Sequence, residues 1–521
     1  MRLERDVQPC LVEAKGFVED GVKQILRGQV DERHGVSPSP GATALATLAL
    51  LASGRSFEAV ERRGSQWLWR QRRTSGWGKF PGGPADAEIS RLAQAVIQGS
   101  QGGLLGRISL LGKARQFSEL ILTLGERVVP GLEGPGADEI LLPHILERSV
   151  LAKLPPYGRP VVIAASLLAA GNQQTGVSQA LEFLAHSQMS DGSWSEDIVA
   201  TSMGILACVR FRFALEGARR AGLWLAKKQY ASGAWPAFDQ LHTWSVGWAL
   251  TILGNSDRRT EKWLTTTAEW LRAGQNGDGS YGSTPPSTHP DLDDTAVALM
   301  GLPTSKDSRR SVDLLKRLQN KDGSWGTFPD FDGVPPEITS KFPVYIPSPD
   351  VTIHVLEALW KHWLPADEQA IRQGLHWLIG QQREDGAVHS SWYEGNVYGT
   401  AQWVELLGKW RFSWEYWKTA RTLEQARKKA QDFLFSAQNE DGSWGSSTVE
   451  TALALDALWR SKQEVSEACM ERGIKKILSW QKPDGSFQAA YGGIYAKGWN
   501  YEEPLATALT VIRALESYLL A

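Results

Sequence analysis

One pattern recurs along the chain and limits what it can fold into. An apolar-striped stretch ends in Gln, a short turn follows, and the turn closes on Gly and an aromatic residue. The clear copies are SQMSDGSW ending at Trp194, KKQYASGAW at Trp235, QNGDGSY at Tyr281, QNKDGSW at Trp325, QNEDGSW at Trp444 and QKPDGSF at Phe487. An earlier copy, RQRRTSGW, ends at Trp77, and QQREDGAV (381–388) lacks the aromatic. The spacing of roughly 40 to 60 residues is that of helical-pair repeats. Each copy reads as an amphipathic helix, such as GLHWLIGQQ or GIKKILSWQ, stopped by a turn in which Gly permits positive φ. A second apolar helix follows, as in TSMGILACVRF (201–211) or ETALALDALW (450–459). Neither helix can bury its stripe alone, so successive pairs must pack on their neighbours. No window alternates with period two for long enough to suggest a sheet. The expectation is a nearly all-α chain of packed helical hairpins.

The repeats also account for an odd composition, in which 23 Trp exceed both 15 Phe and 11 Tyr. A row of aromatics could bind a ligand, but a structural role explains them better. A Trp just after the turn can stack on the preceding Gln and staple one hairpin to the next. Trp77, Trp194, Trp235, Trp325 and Trp444 are therefore assigned to structure.

The remaining composition mainly excludes. With 56 Lys+Arg against 58 Asp+Glu, the chain lacks the basic field of a nucleic-acid binder. Cys10, Cys208 and Cys469 are too scattered for a disulfide framework or a zinc site. The charged start MRLERDVQPC is no signal peptide. The longest apolar runs, 42–52 and 161–171, are too short to span a bilayer. A soluble, cytoplasmic protein is expected, with peripheral membrane contact still compatible and the oligomeric state open.

Against the repeats, STHPDLDDTAVALMGL (287–302) stands out. Asp291, Asp293 and Asp294 crowd together just before an apolar helix. Three carboxylates so close cannot all ionise cheaply, so at least one pKa should rise, as a strong general acid at neutral pH requires. Asp is also favoured at helix starts, so a cap flanked by solvated acids remains an equal reading.

The repeats and the DLDDTA motif together resemble the class II terpene cyclases, the family of squalene-hopene cyclases and bacterial bicyclic-diphosphate synthases. The resemblance runs from about residue 60 to the end. It implies two α/α barrels in the βγ didomain arrangement: a first, inserted barrel over 20–265 and a second over 1–19 plus 266–521. It also implies that Asp293 protonates an alkene, with Asp291 and Asp294 tuning it. An alkene is a very weak base, so this step needs an acid kept from water, and aromatic faces that stabilise a cation without capturing it.

Two branches of the family remain open for the substrate. SGWGKFPGGPADAEISRLAQAVIQG (75–99) and PSPDVTIHVLEAL (347–359) resemble the squalene type. The segment after QNEDGSWG runs directly into SSTVETALALDAL, omitting the stretch expected to hold the histidine that supports the acid, and no obvious His substitutes for it. STVETA and the C-terminal GGIYAKGWNYEEPLATALTVIRAL (492–515) resemble the diphosphate cyclases instead. By that resemblance Lys497 pairs with a diphosphate as a point charge. Asp86 falls in register with an acid that holds Mg²⁺; the family's adjacent Glu is Ala85 here, and Glu88 is the substitute. A solvated Lys497 and a metal-free turn acid at Asp86 are the plainer readings.

SSWYEGNVYGTAQW (390–403) resembles a cavity-bordering stretch, making Trp392, Tyr398 and Trp403 candidate cavity-lining residues and Asn396 a group to orient the final base or water. Trp244 and Trp248, four apart on one helical face, are read as packing. The prolines of STPPSTHP and GVPPEITSKFPVYIPSP are expected to border the mouth. The leading expectation is a cyclase acting on farnesyl or geranylgeranyl diphosphate to give a drimane- or labdane-like bicycle that keeps its diphosphate. A squalene-type or meroterpenoid cyclase of a diphosphate-free polyprene is the alternative. A protein prenyltransferase β-subunit and a non-catalytic barrel module lie further off, the first for want of a zinc-ligand pattern.

Overall fold

The computed structural model describes residues 2–520 except 102–157, 170–174, 237, 239–240, 255–260, 286–289, 329–346, 410–416, 461–466, 489–490 and 497–498. The described chain is mostly helical, as the repeats require. Helix α1 (Arg2–Leu26) is followed by a first unit of α2 (Pro40–Ala52), α3 (Glu58–Gln71), α4 (Ala87–Gln101), α5 (Gly158–Ala169), α6 (Val177–His186), α7 (Ile198–Phe211) and α8 (Leu215–Lys228). The apolar α2 and α7 lie at its centre, and Trp194 and Trp235 belong to its core.

The second unit contains α9 (His242–Leu253), α10 (Lys262–Ala273), α11 (Leu292–Gly301), α12 (Lys306–Arg317), α13 (Pro349–Lys361), α14 (Glu368–Gln381), α15 (Val397–Lys409), α16 (Trp417–Ser436), α17 (Thr448–Arg460), α18 (Glu467–Trp480) and α19 (Pro504–Leu520). A short antiparallel hairpin, β1 (Gly493–Ala496) with β2 (Trp499–Tyr501), precedes α19. Six apolar helices form an inner ring in the order α9, α11, α13, α15, α17, α19, and α19 packs back on α9. The helix at 242–253 is thus one of the inner six, although the sequence division at 265/266 would leave it in the first unit. Amphipathic helices surround the ring, and α1 fills the outer position between α18 and α10.

The repeat residues make this geometry. In each repeat the indole lies inside its own hairpin and donates to a carbonyl nine or ten residues back: Trp77 to Leu68, Trp194 to Leu184, Trp235 to Leu225, Trp325 to Leu315 and Trp444 to Leu434. The Gln supplies the tie between hairpins. Gln319 donates to Gly323 O in its own turn and to Ala370 O on α14, both at 2.8 Å, and Gln382 and Gln438 do the same to Ala426 O and Cys469 O. Gln481 reaches Cys10 O at 2.9 Å, so α1 closes the outer ring against the last repeat. The turn glycine is required at Gly323, where φ is +96° and a Cβ would strike the Gln373 backbone.

The inner helices run in one direction. Asp293 meets His354 near the starts of α11 and α13, while His362 and Lys361 at the end of α13 bond Leu299 O and Met300 O at the end of α11. The far end of the ring is closed by charge: Arg513 pairs with Glu405 and Asp456, Lys409 with Glu357 and Glu405, and Arg460 with Asp456. Three cations meet three anions, which is how buried charges become tolerable. Burial opposes the Glu405 charge, but Arg513 and Lys409 outweigh it and hold its carboxyl down at about 2. Among the described residues no helix is long and apolar enough to cross a membrane.

Candidate active site

Asp291 is the N-cap of α11: its Oδ1 accepts from the backbone N–H of Asp293 at 2.8 Å and of Asp294 at 3.1 Å. The cap and the acid cluster, alternatives in the sequence, are thus one arrangement. Asp291 keeps a rim of accessible surface, yet it is hemmed in by protein. Burial, and then the Asp293 charge, raise its carboxyl to about 8 against the pull of the two N–H groups. Asp294 is buried, and its Oδ1 has no hydrogen-bond partner among the described residues. Burial, then Asp291, Asp293 and Glu503, push its pKa well above the usual carboxylate range.

Asp293 points elsewhere. Its Oδ1 lies 2.7 Å from Nδ1 of His354, and its side chain is 13% exposed against 1% for the histidine. This corrects the sequence expectation that no His supports the acid. The supporting histidine comes from PSPDVTIHVLEAL, on the neighbouring inner helix, and not from the segment after QNEDGSWG. Burial disfavours the imidazolium, but the charge and hydrogen bond of Asp293, with Glu357 and Asp350, prevail and raise the His354 pKa. Trp244 and Trp248 meet the imidazole edge to face, with centroids 5.3 and 5.7 Å away, and the Arg513 guanidinium sits over Trp248 at 5.9 Å. The pair on one helical face therefore packs, as expected, and what it packs on is the acid's partner.

One turn before His354, buried Asp350 accepts from the Ser390 hydroxyl and Ser391 N–H, each at 2.8 Å, and from Trp392 N–H at 3.1 Å. It thereby fixes the loop leading into α15. Trp392 is half-buried, with Nε1 on Thr327 Oγ1 at 3.0 Å. Tyr398 is buried and stacks on Tyr393 at 3.9 Å, close enough to Asp293 and Asp350 to feel their charges. Trp403 is fully buried one turn further on. Asn396 Oδ1 lies 3.4 Å from Nδ1 of the exposed His389.

Two buried residues on the approach to α19 join the acid end without any motif announcing them. Glu503 accepts a hydrogen bond from Ser245 on α9. Burial raises its carboxyl to about 8, against the Ser245 bond and with help from Glu502. Tyr501 packs edge-on against Phe238 at 4.8 Å and senses Glu503, Asp293 and Asp294.

Asp86 starts α4, accepting from Ile89 N–H at 3.1 Å. Its loop reaches the second unit, where Phe80 stacks on Tyr491 at 4.4 Å just before the β-hairpin. Lys497, between the strands, lies outside the described residues, as do the Glu88 side chain and most of the proline loops. Among the described residues no group of three or more His, Cys, Asp or Glu side chains is placed to hold a metal ion.

The geometry agrees with sequence comparison. Residues 285–493 match the squalene-hopene cyclase C-terminal domain, and residues 224–334 the prenyltransferase alpha-alpha toroid domain. Across these residues the chain resembles the class II terpene cyclases. Relatives of this chain include a squalene–hopene cyclase from Alicyclobacillus acidocaldarius, 28% identical over 39% of this chain and 36% of that one. A drimenyl diphosphate synthase from Streptomyces showdoensis is 25% identical over 48% of this chain and 46% of its own. A copalyl diphosphate synthase from Streptomyces cyslabdanicus is 29% identical over 38% and 34%. The matches thus span less than half the length of these relatives. The ent-copalyl diphosphate synthase from Streptomyces platensis shares the fold across 98% of this chain and 99% of that one, with a TM-score of 0.64 at 19% identity.

Proposed function

We propose that this chain is a protonation-initiated cyclase of a prenyl diphosphate, farnesyl or geranylgeranyl, giving a bicyclic drimane- or labdane-type product that keeps its diphosphate. The observation that carries the proton chemistry is the Asp293–His354 pair. An imidazolium donating from Nδ1 to Oδ1 of a protonated Asp293 leaves the acid proton for the other oxygen. Its positive charge stabilises the conjugate carboxylate, so the same carboxyl becomes a stronger acid. Trp244 and Trp248 hold the imidazole and exclude water behind it. The Tyr393–Tyr398 stack and Tyr501 supply π-faces near the charge that the alkene acquires.

The diphosphate would lie toward Lys497 and Asp86. The Phe80–Tyr491 stack supports this, since it brings the Asp86 loop against the segment that leads into the hairpin containing Lys497. Mg²⁺ suits such a place, because it keeps its waters and needs only one or two carboxylates beside the phosphate oxygens. Asp86, at the start of α4, would be one oxygen donor and Glu88 the second; the ion would supply charge neutralisation there. The domain division is part of this proposal: the first unit contributes Asp86, and the ring closed by α1 contributes the acid. The likeness to diphosphate-retaining synthases at 25 and 29% identity supports the choice of substrate class.

A diphosphate-free polyprene is the second reading, favoured by the acid–histidine pair and by the match to a squalene–hopene cyclase domain. Incubation with C10 to C25 prenyl diphosphates, with and without Mg²⁺, separates the two. The proposal expects a cyclic alcohol only after phosphatase treatment and no pyrophosphate during turnover. Pyrophosphate release in step with product would mean ionisation chemistry and would remove Asp293 as the initiating acid.

A further inference from the structure

A cyclase of this kind reacts at the alkene farthest from the diphosphate, so the separation of its acid from its diphosphate end decides which prenyl chain fits. A continuous run of hydrogen bonds joins the acid motif to the hairpin and the Asp86 loop. Leu292, between Asp291 and Asp293, donates its N–H to Thr327 O at 2.7 Å. Thr327 is buried, and its hydroxyl accepts from the Trp392 indole at 3.0 Å. The Trp392 carbonyl then accepts from Ile494 N–H on β1 at 2.8 Å, Tyr393 bridges Gly493, and Glu394 N–H donates to Gly492 O at 3.0 Å. Asp350, at the start of α13, holds the same loop from its other side through Ser390, Ser391 and Trp392. Beyond β1, Asn500 on β2 donates to Glu394 at 2.9 Å and to Tyr491 O at 3.1 Å, and Tyr491 stacks on Phe80 in the Asp86 loop.

We propose that Trp392, through its bond to Thr327, is a positioning residue that fixes the reach from the acid to the diphosphate end and so selects prenyl chain length. This rests on the cyclase reading given above, with the diphosphate toward Lys497 and Asp86. A substrate anchored at the hairpin presents its distal alkene to Asp293 only if its chain spans that reach. Farnesyl and geranylgeranyl diphosphates differ by one isoprene unit, and a displacement of about 1 Å from a reactive geometry can cost about 10²-fold in rate. The step from Thr327 to the loop is a single bond between two side chains, while the steps on either side run through main chain. Loosening that one bond lets the two ends shift relative to each other without removing the acid, its histidine or the anchor.

The test is steady-state kinetics of the full chain with farnesyl, geranylgeranyl and geranylfarnesyl diphosphates, read as the ratio of kcat/KM for the best length to that for the next best. Trp392→Phe keeps an aromatic ring but has no N–H to donate. Thr327→Val keeps the shape and the carbonyl that holds Leu292 but has no hydroxyl. Each should lower the ratio about tenfold, through kcat for the best substrate with KM nearly unchanged, since the ends still bind but no longer register. The double variant should fall no further, because both changes remove the same bond. An unchanged ratio overturns the proposal, as do losses equal for every length, which would place the pair in acid strength or packing, and single losses that add. A wild-type chain equally active on all lengths overturns it too and leaves the cyclase reading standing. A wild-type chain that makes no cyclic product from any of them defeats the cyclase reading itself, and the selection of length with it.

Discussion

Replacing His354 by Phe tests the acid most directly. The ring fills the space between Trp244 and Trp248 but has no donor for the Asp293 oxygen, which lies 2.7 Å from Nδ1. Charge centres about 4 Å apart interact by about 4 kcal/mol at an effective dielectric near 20. A hydrogen bond to a charged group is worth about 1.5–3 kcal/mol on its own, and the two figures describe overlapping effects. Taken together they put the loss at about 3–4 kcal/mol of transition-state stabilisation, a fall of roughly 10²–10³ in rate. Folding should survive, since the change also removes the buried Nε2, which has no hydrogen-bond partner among the described residues. Single-turnover rates with geranylgeranyl diphosphate, alongside thermal melting, measure both. A folded variant whose first turnover stays within tenfold of wild type would refute the claim that His354 sets the acid's strength.

Asp293→Asn should abolish turnover by several orders of magnitude with unchanged circular dichroism, because general-acid transfer alone contributes about 10²–10⁴-fold and here starts the reaction; activity within tenfold of wild type would exclude it. Asp291 and Glu503, both raised to about 8 from ordinary carboxylate values, bind more protons folded than unfolded. Their contribution to stability is full below about pH 4 and is lost as pH rises toward about 8, so melting should fall between about pH 4 and 8 and level off above. Asp291→Asn, which still caps α11, should weaken that dependence. Gln319→Ala removes two hydrogen bonds, to Gly323 O and Ala370 O, and should cost about 2 kcal/mol in denaturant unfolding with little effect on the first-turnover rate.

The repeats made the helical hairpins legible because Gln, Gly and Trp have fixed local duties in each copy. The indoles are buried as expected, but the inter-hairpin tie is the Gln amide on a carbonyl of the next helix, and a long-range bond of that kind leaves no mark in a local pattern. The acid cluster was visible because its three carboxylates are adjacent in sequence. His354 was not recognised: it is 61 residues from Asp293, and on an apolar helix a lone histidine looks like core. The signal that would have found it is Asp350 and His354 four apart at a helix start, one pinning a loop and the other facing the acid. Glu503 had no signal beyond an acid preceding a helix.

The bond between Gln481 and Cys10 spans 471 positions of the chain. At a synthesis rate of about 5–20 residues per second, α1 is made roughly 25 to 95 seconds before its closing partner exists. Throughout that interval its apolar face, with Val7, Leu11, Val18 and Val22 destined for the core, has no finished surface to cover it. The first unit, whose helices lie between, can assemble while α1 waits. The acid end is completed last, because Glu503 and α19 follow nearly everything else. Such a ring has high contact order, so its refolding should be slow and its unfinished forms attractive to chaperones. The contact that closes the barrel thus also holds back completion of the acid end until the segment beyond Gln481 has been made.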